Sequence, residues 1–159
     1  MALPLIRSAR QSDWMALWPL VQDATDATAA SSPEAFRARY QHLVQSAEHR
    51  LLVAENSEAL LGYAWAQQLG LDLRSGATLA IFHDLYLSPR ARQKGLGKRL
   101  FEAICGWARQ AGVQRLSWQA QPEAEGFYHH LGLAATARAY NLNPQDLSTL
   151  RTQAHKESA

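Results

Sequence analysis

The stretch that most restricts the fold is His83–Leu100, HDLYLSPRARQKGLGKRL. It continues Thr78–Phe82, and from Thr78 to Leu87 both alternating faces are largely apolar, as expected of a strand covered on both sides. From Gly97 to Gln110 the residues Leu100, Ile104, Trp107 and Ala108 recur at helical spacing, and Gly112 stands where a left-handed cap would end the helix. A twice-covered strand that runs through a short basic loop into an amphipathic helix requires a sheet with layers on both faces.

The flanking segments can be read around that unit. Leu5–Arg7 is a short strand candidate, followed by a helix capped at Ser12 or Asp13 that carries Trp14, Leu17, Trp18 and Val21 on one face and contains Pro19. The polar loop Thr25–Ser32 precedes a second helix, with Ser31 and Glu34 as a capping box and Phe36, Tyr40, Leu43 and Val44 as its apolar face. Arg50–Glu55 and Ala59–Gln67 form a hairpin around Asn56-Ser57-Glu58, and Gly70–Gly76 is a loop. Val113–Ala120 is a strand, Pro122 opens a short helix ended by Gly132, and Leu133–Leu142 is the last strand before a polar tail over about 150–159. This order predicts an α/β (α+β) chain: a mixed, mostly antiparallel central sheet of six to seven strands with helices on both faces, all within one domain, 1–159.

Composition narrows the function. One cysteine, Cys105, gives no internal disulfide and no zinc-ligand spacing, and the histidines do not pair as HxxxH or HExxH, so no metal is expected. No apolar run approaches the roughly 20 residues of a membrane span. The start, MALPLIRSARQSDW, lacks the pattern of a signal peptide, so the expectation is a cytoplasmic protein with no membrane partner. The formal charge of +2 implies no nucleic acid. Yet Arg90, Arg92, Lys94, Lys98 and Arg99 are five of the 16 basic residues, and they fall beside Gly95 and Gly97 at a helix start. Free helix N-terminal amides, the positive end of the helix dipole and glycines without a Cβ together make an anion site.

Two nucleotide loops can be set aside. A Walker loop needs glycine at Arg92 and Ser or Thr at Arg99, and a dinucleotide fingerprint needs a third glycine at Leu100. What remains is RxxGxG, Arg92-Gln93-Lys94-Gly95-Leu96-Gly97, followed later by GFYHHLGL at Gly126–Leu133. In these motifs, and in the order of elements, the chain resembles the GCN5-related N-acetyltransferase (GNAT) superfamily, including amine-acetylating members similar to diamine acetyltransferases.

The resemblance implies a GNAT-like acyl-coenzyme A N-acyltransferase fold and acetyl-coenzyme A as co-substrate. It places Arg92, Gln93, Lys94, Gly95, Leu96, Gly97 and Lys98 around the diphosphate. Leu85, Tyr86 and Leu87 would pair through their backbone with the pantetheine arm, with Gln121 nearby where many relatives carry Asn. Tyr128 matches the family's tyrosine that protonates or hydrogen-bonds the coenzyme A sulfur. The implied reaction is transfer of an acetyl group to a primary amine of a small molecule or a protein N-terminus, by direct attack in a ternary complex; the alternative is a non-catalytic acyl-coenzyme A sensor. A homodimer is compatible with the short C-terminal region.

His83 and Asp84 form a polar pair in an apolar strand, and each needs a hydrogen-bond partner or a wet cleft. His83 titrates near neutrality and is either the base for the amine or a satisfied structural histidine; Asp84 or water are the other candidates. In a regular strand the two point to opposite faces, and a bulge would reverse that count. Cys105, on an apolar helix, reads as core, and Asp23 or Asp26 beside the polar loop could attract a cationic amine.

Overall fold

A computed structural model describes residues 3–25, 32–139, 141 and 144. The chain divides into two compact units, Met1–Trp118 and Gln119–Ala159. The first contains strand β1 (Leu5–Ser8), helices α1 (Trp14–Ala24) and α2 (Pro33–Gln45), strands β2 (His49–Glu55), β3 (Leu60–Leu71) and β4 (Thr78–Leu87), helix α3 (Leu96–Gln110) and strand β5 (Arg115–Ser117). The second contains helix α4 (Pro122–His130). The strands make one sheet in the order β1-β2-β3-β4-β5, antiparallel except for the parallel pair β4–β5.

Alternation along the strands divides the apolar residues between two layers. Leu51 and Val53 of β2 and Tyr63 of β3 meet Leu17 and Leu20 of α1 and Phe36 and Tyr40 of α2. Tyr40 is 1% exposed, and its hydroxyl donates to the Arg10 carbonyl at 2.6 Å, so the polar atom it carries into this core is satisfied. On the opposite face α3 packs against β2, β3 and β4. Its Leu100 and Ile104 are fully buried, and Phe101 meets Phe82 and Trp118 edge-on. The sheet is therefore covered on both sides, as its apolar strands require.

Several boundaries differ from those expected. Among the described residues the sheet has five strands, not six to seven. The expected strand over Val113–Ala120 shrinks to Arg115–Ser117, because its first residues serve other ends. The Val113 amide closes α3 by donating to the Ala108 carbonyl, and the Gln114 amide and side chain both bond Thr78. Residues 133–139 carry no strand. Ala134-Ala135-Thr136-Ala137 offer little apolar side chain to bury and lie exposed, while Tyr140 and Leu142 fall outside the described residues. Helix α2 is capped by Ser32, whose Oγ accepts from the Ala35 amide at 3.1 Å; Ser31 of the expected capping box lies outside the described residues. The Asn56 turn is as expected, its Oδ1 taking the Glu58 and Ala59 amides.

Leu100 touches the sheet at 0% exposure. Replacing it with alanine should lower stability by about 2–5 kcal/mol, read as a shift in denaturant midpoint with an unchanged slope.

Candidate functional site

Strand β4 has neighbours on both sides only at its start. Pairing with β5 covers Leu79, Ala80 and Ile81 and ends at Ser117, while pairing with β3 continues to Leu87. Among the described residues, then, no strand pairs with Phe82–Leu87 on the β5 side. Backbone polar groups along such an edge call for another partner. The sequence-predicted Leu85, Tyr86 and Leu87 all lie in this one-sided stretch.

The end of β4 is held close to β3 by Gly62, which pairs with Leu87. A Cβ on Gly62 would overlap the Tyr86 carbonyl oxygen and the Leu87 side chain. After Leu87 the chain passes Ser88 and a 3-10 turn, Pro89–Ala91, into the glycine loop. Arg92 folds back over the strand end: its Nε donates to the Leu87 carbonyl at 3.0 Å and its guanidinium lies 5.4 Å from the Tyr86 ring centre. This contact joins two groups of residues that the sequence named separately.

Gln93 has φ of 60° and Gly95, the residue before α3, has φ of 74°, both in the left-handed region. Nothing would meet a Cβ on Gly95, so glycine is required there by conformation and not by space. Gly95 brings no side-chain cap, and the first bond of the helix runs from the Arg99 amide to the Gly95 carbonyl. The amides of Leu96, Gly97 and Lys98 thus precede the helical ladder and are available as anion donors. The surrounding cations are shared with the protein itself. Lys94 donates to the Arg90 carbonyl, Lys98 pairs with Glu102 at 3.7 Å, and Arg99 reaches the Pro4 carbonyl.

His83 occupies a bulge. Phe82 pairs with Ala66 and Asp84 with Trp65, leaving His83 as an extra residue in β4. The reversal that a bulge allows is realised: His83 and Asp84 both turn to the side of Trp65 and Tyr63. The His83 ring stacks on Trp65 at 4.0 Å and 21°, and its Nε2 lies 3.0 Å from Gln67 Oε1. Asp84 accepts from the Tyr63 hydroxyl at 2.6 Å.

These contacts separate the two titratable groups. Partial burial, with His49 nearby, holds His83 below the ordinary histidine value against an upward pull from Asp84. Burial lifts the Asp84 carboxyl above its usual range, opposed by hydrogen bonds from Tyr63 and the Leu85 amide. Burial and then Asp84 push the Tyr63 phenol well above an ordinary phenol. An exposed neutral imidazole is suited to accept a proton near pH 7, whereas Asp84 is engaged by its tyrosine. Reading the sequence alone did not find Tyr63, Trp65 or Gln67; their signal is register, since each faces β4 across the hairpin.

In the second unit, Tyr128 is half-buried on α4 and its ring meets Phe127 edge-on at 5.1 Å. Gln121 is the exposed residue that precedes this helix, and His129 and His130 are exposed. Cys105 is half-buried, and burial raises its thiol. Asp23 is exposed, and Asp26 lies outside the described residues. Among the described residues no helix is long and apolar enough to cross a membrane, and no cluster of three His, Cys, Asp or Glu could hold a metal.

The Acetyltransferase (GNAT) family profile matches residues 14–133, three quarters of the chain. The chain belongs to that family. It is similar to glucosamine 6-phosphate N-acetyltransferase 1 of rice (Oryza sativa subsp. japonica), 31% identical over 62% of each chain. It is 26% identical to aminoglycoside N(6′)-acetyltransferase type 1 of Serratia marcescens, over 77% of this chain and 82% of that one. An aminoglycoside N-acetyltransferase structure in complex with CoA superposes with a TM-score of 0.76 at 17% identity, covering 88% of this chain and 93% of that one. With the family go the reaction class, acetyl-coenzyme A-dependent N-acetyltransfer to an amine, and the GNAT acyltransferase fold. The relatives' names favour an enzyme over a non-catalytic sensor.

The two glycines should respond differently to alanine. Gly62→Ala meets backbone and should cost about 1–3 kcal/mol. Gly95→Ala meets nothing and should cost about 1–2 kcal/mol from its positive φ alone. Thermal or chemical unfolding of both variants checks this.

Proposed function

We propose that this enzyme acetylates the primary amine of an amino sugar, with His83 as the base and Tyr128 as the acid. The observation that carries the reading is the one-sided end of β4 running, through Arg92, into the open amides of α3. A ligand that is amide-bearing at one end and a diphosphate at the other is complementary to such a surface. In this reading the amides around Gln93–Lys98, with Arg92 and Lys94 beside them, bind the diphosphate. The backbone of Leu85, Tyr86 and Leu87 pairs with the pantetheine arm as an added strand, and Gln121 assists.

The acceptor class is supported by the two curated relatives, which are named for an amino-sugar phosphate and an aminoglycoside. The amine enters as an ammonium and gives one proton to His83. Its freed electron pair then forms the bond to the thioester carbon while the carbon–sulfur bond breaks. Tyr128, assigned from its sequence motif, gives its proton to sulfur and regains one from the new amide nitrogen through solvent. No covalent enzyme intermediate is needed, and atoms and charge balance.

Calorimetry with acetyl-coenzyme A tests the cofactor half, and coenzyme A release tests the acceptor half with glucosamine 6-phosphate, a 6′-amino aminoglycoside, spermidine and an alanine-terminated peptide. Turnover confined to the first two is expected; turnover of only the peptide or the polyamine overturns the acceptor class, and no acetyl-coenzyme A uptake overturns the reading altogether. His83→Gln should lower kcat by about 10²–10⁴-fold, and Tyr128→Phe should lower kcat with little change in acetyl-coenzyme A affinity. Because His83 is held below the ordinary value of about 6.5, the acid limb of kcat/KM should lie below pH 6.5, with activity lost as His83 is protonated.

A further inference from the structure

The bulge brings His83 onto a row of side chains that crosses three strands. His49 of β2 pairs directly with Gln67 of β3, and Trp65 lies two residues from Gln67 on the same face. The Trp65 indole N–H donates to His49 Nδ1 at 3.1 Å, and the two rings lie 5.8 Å apart. The indole face carries the His83 ring, and Gln67 Oε1 meets His83 Nε2.

Each contact fixes one freedom of the imidazole. An amide oxygen can only accept, so in this arrangement the proton sits on Nε2 and the lone pair on Nδ1. Stacking fixes the ring plane, and the His49 bond fixes the indole rotamer that provides the stack. Gln67 also remains a usable acceptor after Nδ1 takes a proton, because Nε2 keeps its hydrogen in both states. The titratable groups acting on His83 are Asp84 and His49, and His49 in turn feels Glu48 and His42.

We infer that Trp65 and Gln67 are positioning residues that hold the His83 imidazole as its Nε2–H tautomer with Nδ1 presented to the acceptor amine. This rests on His83 being the base. They act through His83 on proton removal and leave cofactor and acceptor binding alone.

The first test needs no acceptor. Long-range proton–nitrogen NMR on the full-length enzyme reports the His83 tautomer: Nε2–H is expected in the wild type, and a mixture in Gln67→Ala. The second is kinetic, with whichever amino sugar is turned over. Gln67→Ala and Trp65→Leu should each lower kcat by about 5–50-fold with both KM values within twofold. Gln67→Glu, which restores an acceptor and adds a charge, should recover most of kcat and move the acid limb of kcat/KM upward. If the wild-type tautomer is Nδ1–H, or if Gln67→Ala changes neither tautomer nor kcat while His83→Gln is inactive, the inference fails and the base assignment stands. If His83→Gln retains wild-type kcat, both fail. Gln67 is half-buried at the sheet surface, so its variants keep the test available should Trp65→Leu not fold.

Discussion

A backbone edge with a neighbour on only one side governs the arrangement of this molecule. Once β5 has separated from β4 after Ile81, the strand continues to Leu87 with, among the described residues, β3 alone paired to it. Peptide groups need partners when water is excluded, so a sheet opened in this way favours a ligand that can hydrogen-bond like a strand. The two apolar layers hold that opening in place. Helices α1 and α2 cover one face through Tyr40 and Leu17, and α3 covers the other through Leu100 and Ile104. The same helix α3 that stabilises the sheet presents its open N-terminus just after the strand ends, so the element that folds the sheet also carries the proposed anion site.

The second organising element is the bulge at His83. In a regular strand one of the pair His83 and Asp84 would face α3. The extra residue instead puts both on the Trp65 side, where one is stacked and exposed and the other is half-buried and accepts from a tyrosine. Two adjacent polar residues thereby acquire opposite electrostatic character. The imidazole is held below its ordinary value by burial, and the carboxyl is raised by burial and engaged.

Much of the scaffold was legible because it depends on local signals. The apolar double face of Thr78–Leu87, the helical spacing of Leu100 and Ile104, and the Asn56 turn each act over a few residues, and all appear where expected. The strand ends were less legible, since they are set by distant partners: Gln114 is drawn off to Thr78, and Trp118 joins the Phe82–Phe101 cluster. The side of the sheet on which His83 falls could not be read, because a bulge is a property of register between two strands. For the same reason Trp65 and Gln67 looked like ordinary strand residues until β3 was laid beside β4.

The left-handed pair Gln93 and Gly95 has a thermodynamic corollary. A non-glycine residue held at positive φ is unfavourable by itself, so the loop keeps its shape through the rest of the fold and not through its own preference. If the proposed anion binds here, a turn whose shape the fold has already set would lose little chain entropy on complex formation. Association through this loop would resemble docking onto a preformed cradle, with a heat signature dominated by amide–phosphate contacts and scant contribution from ordering of the polypeptide.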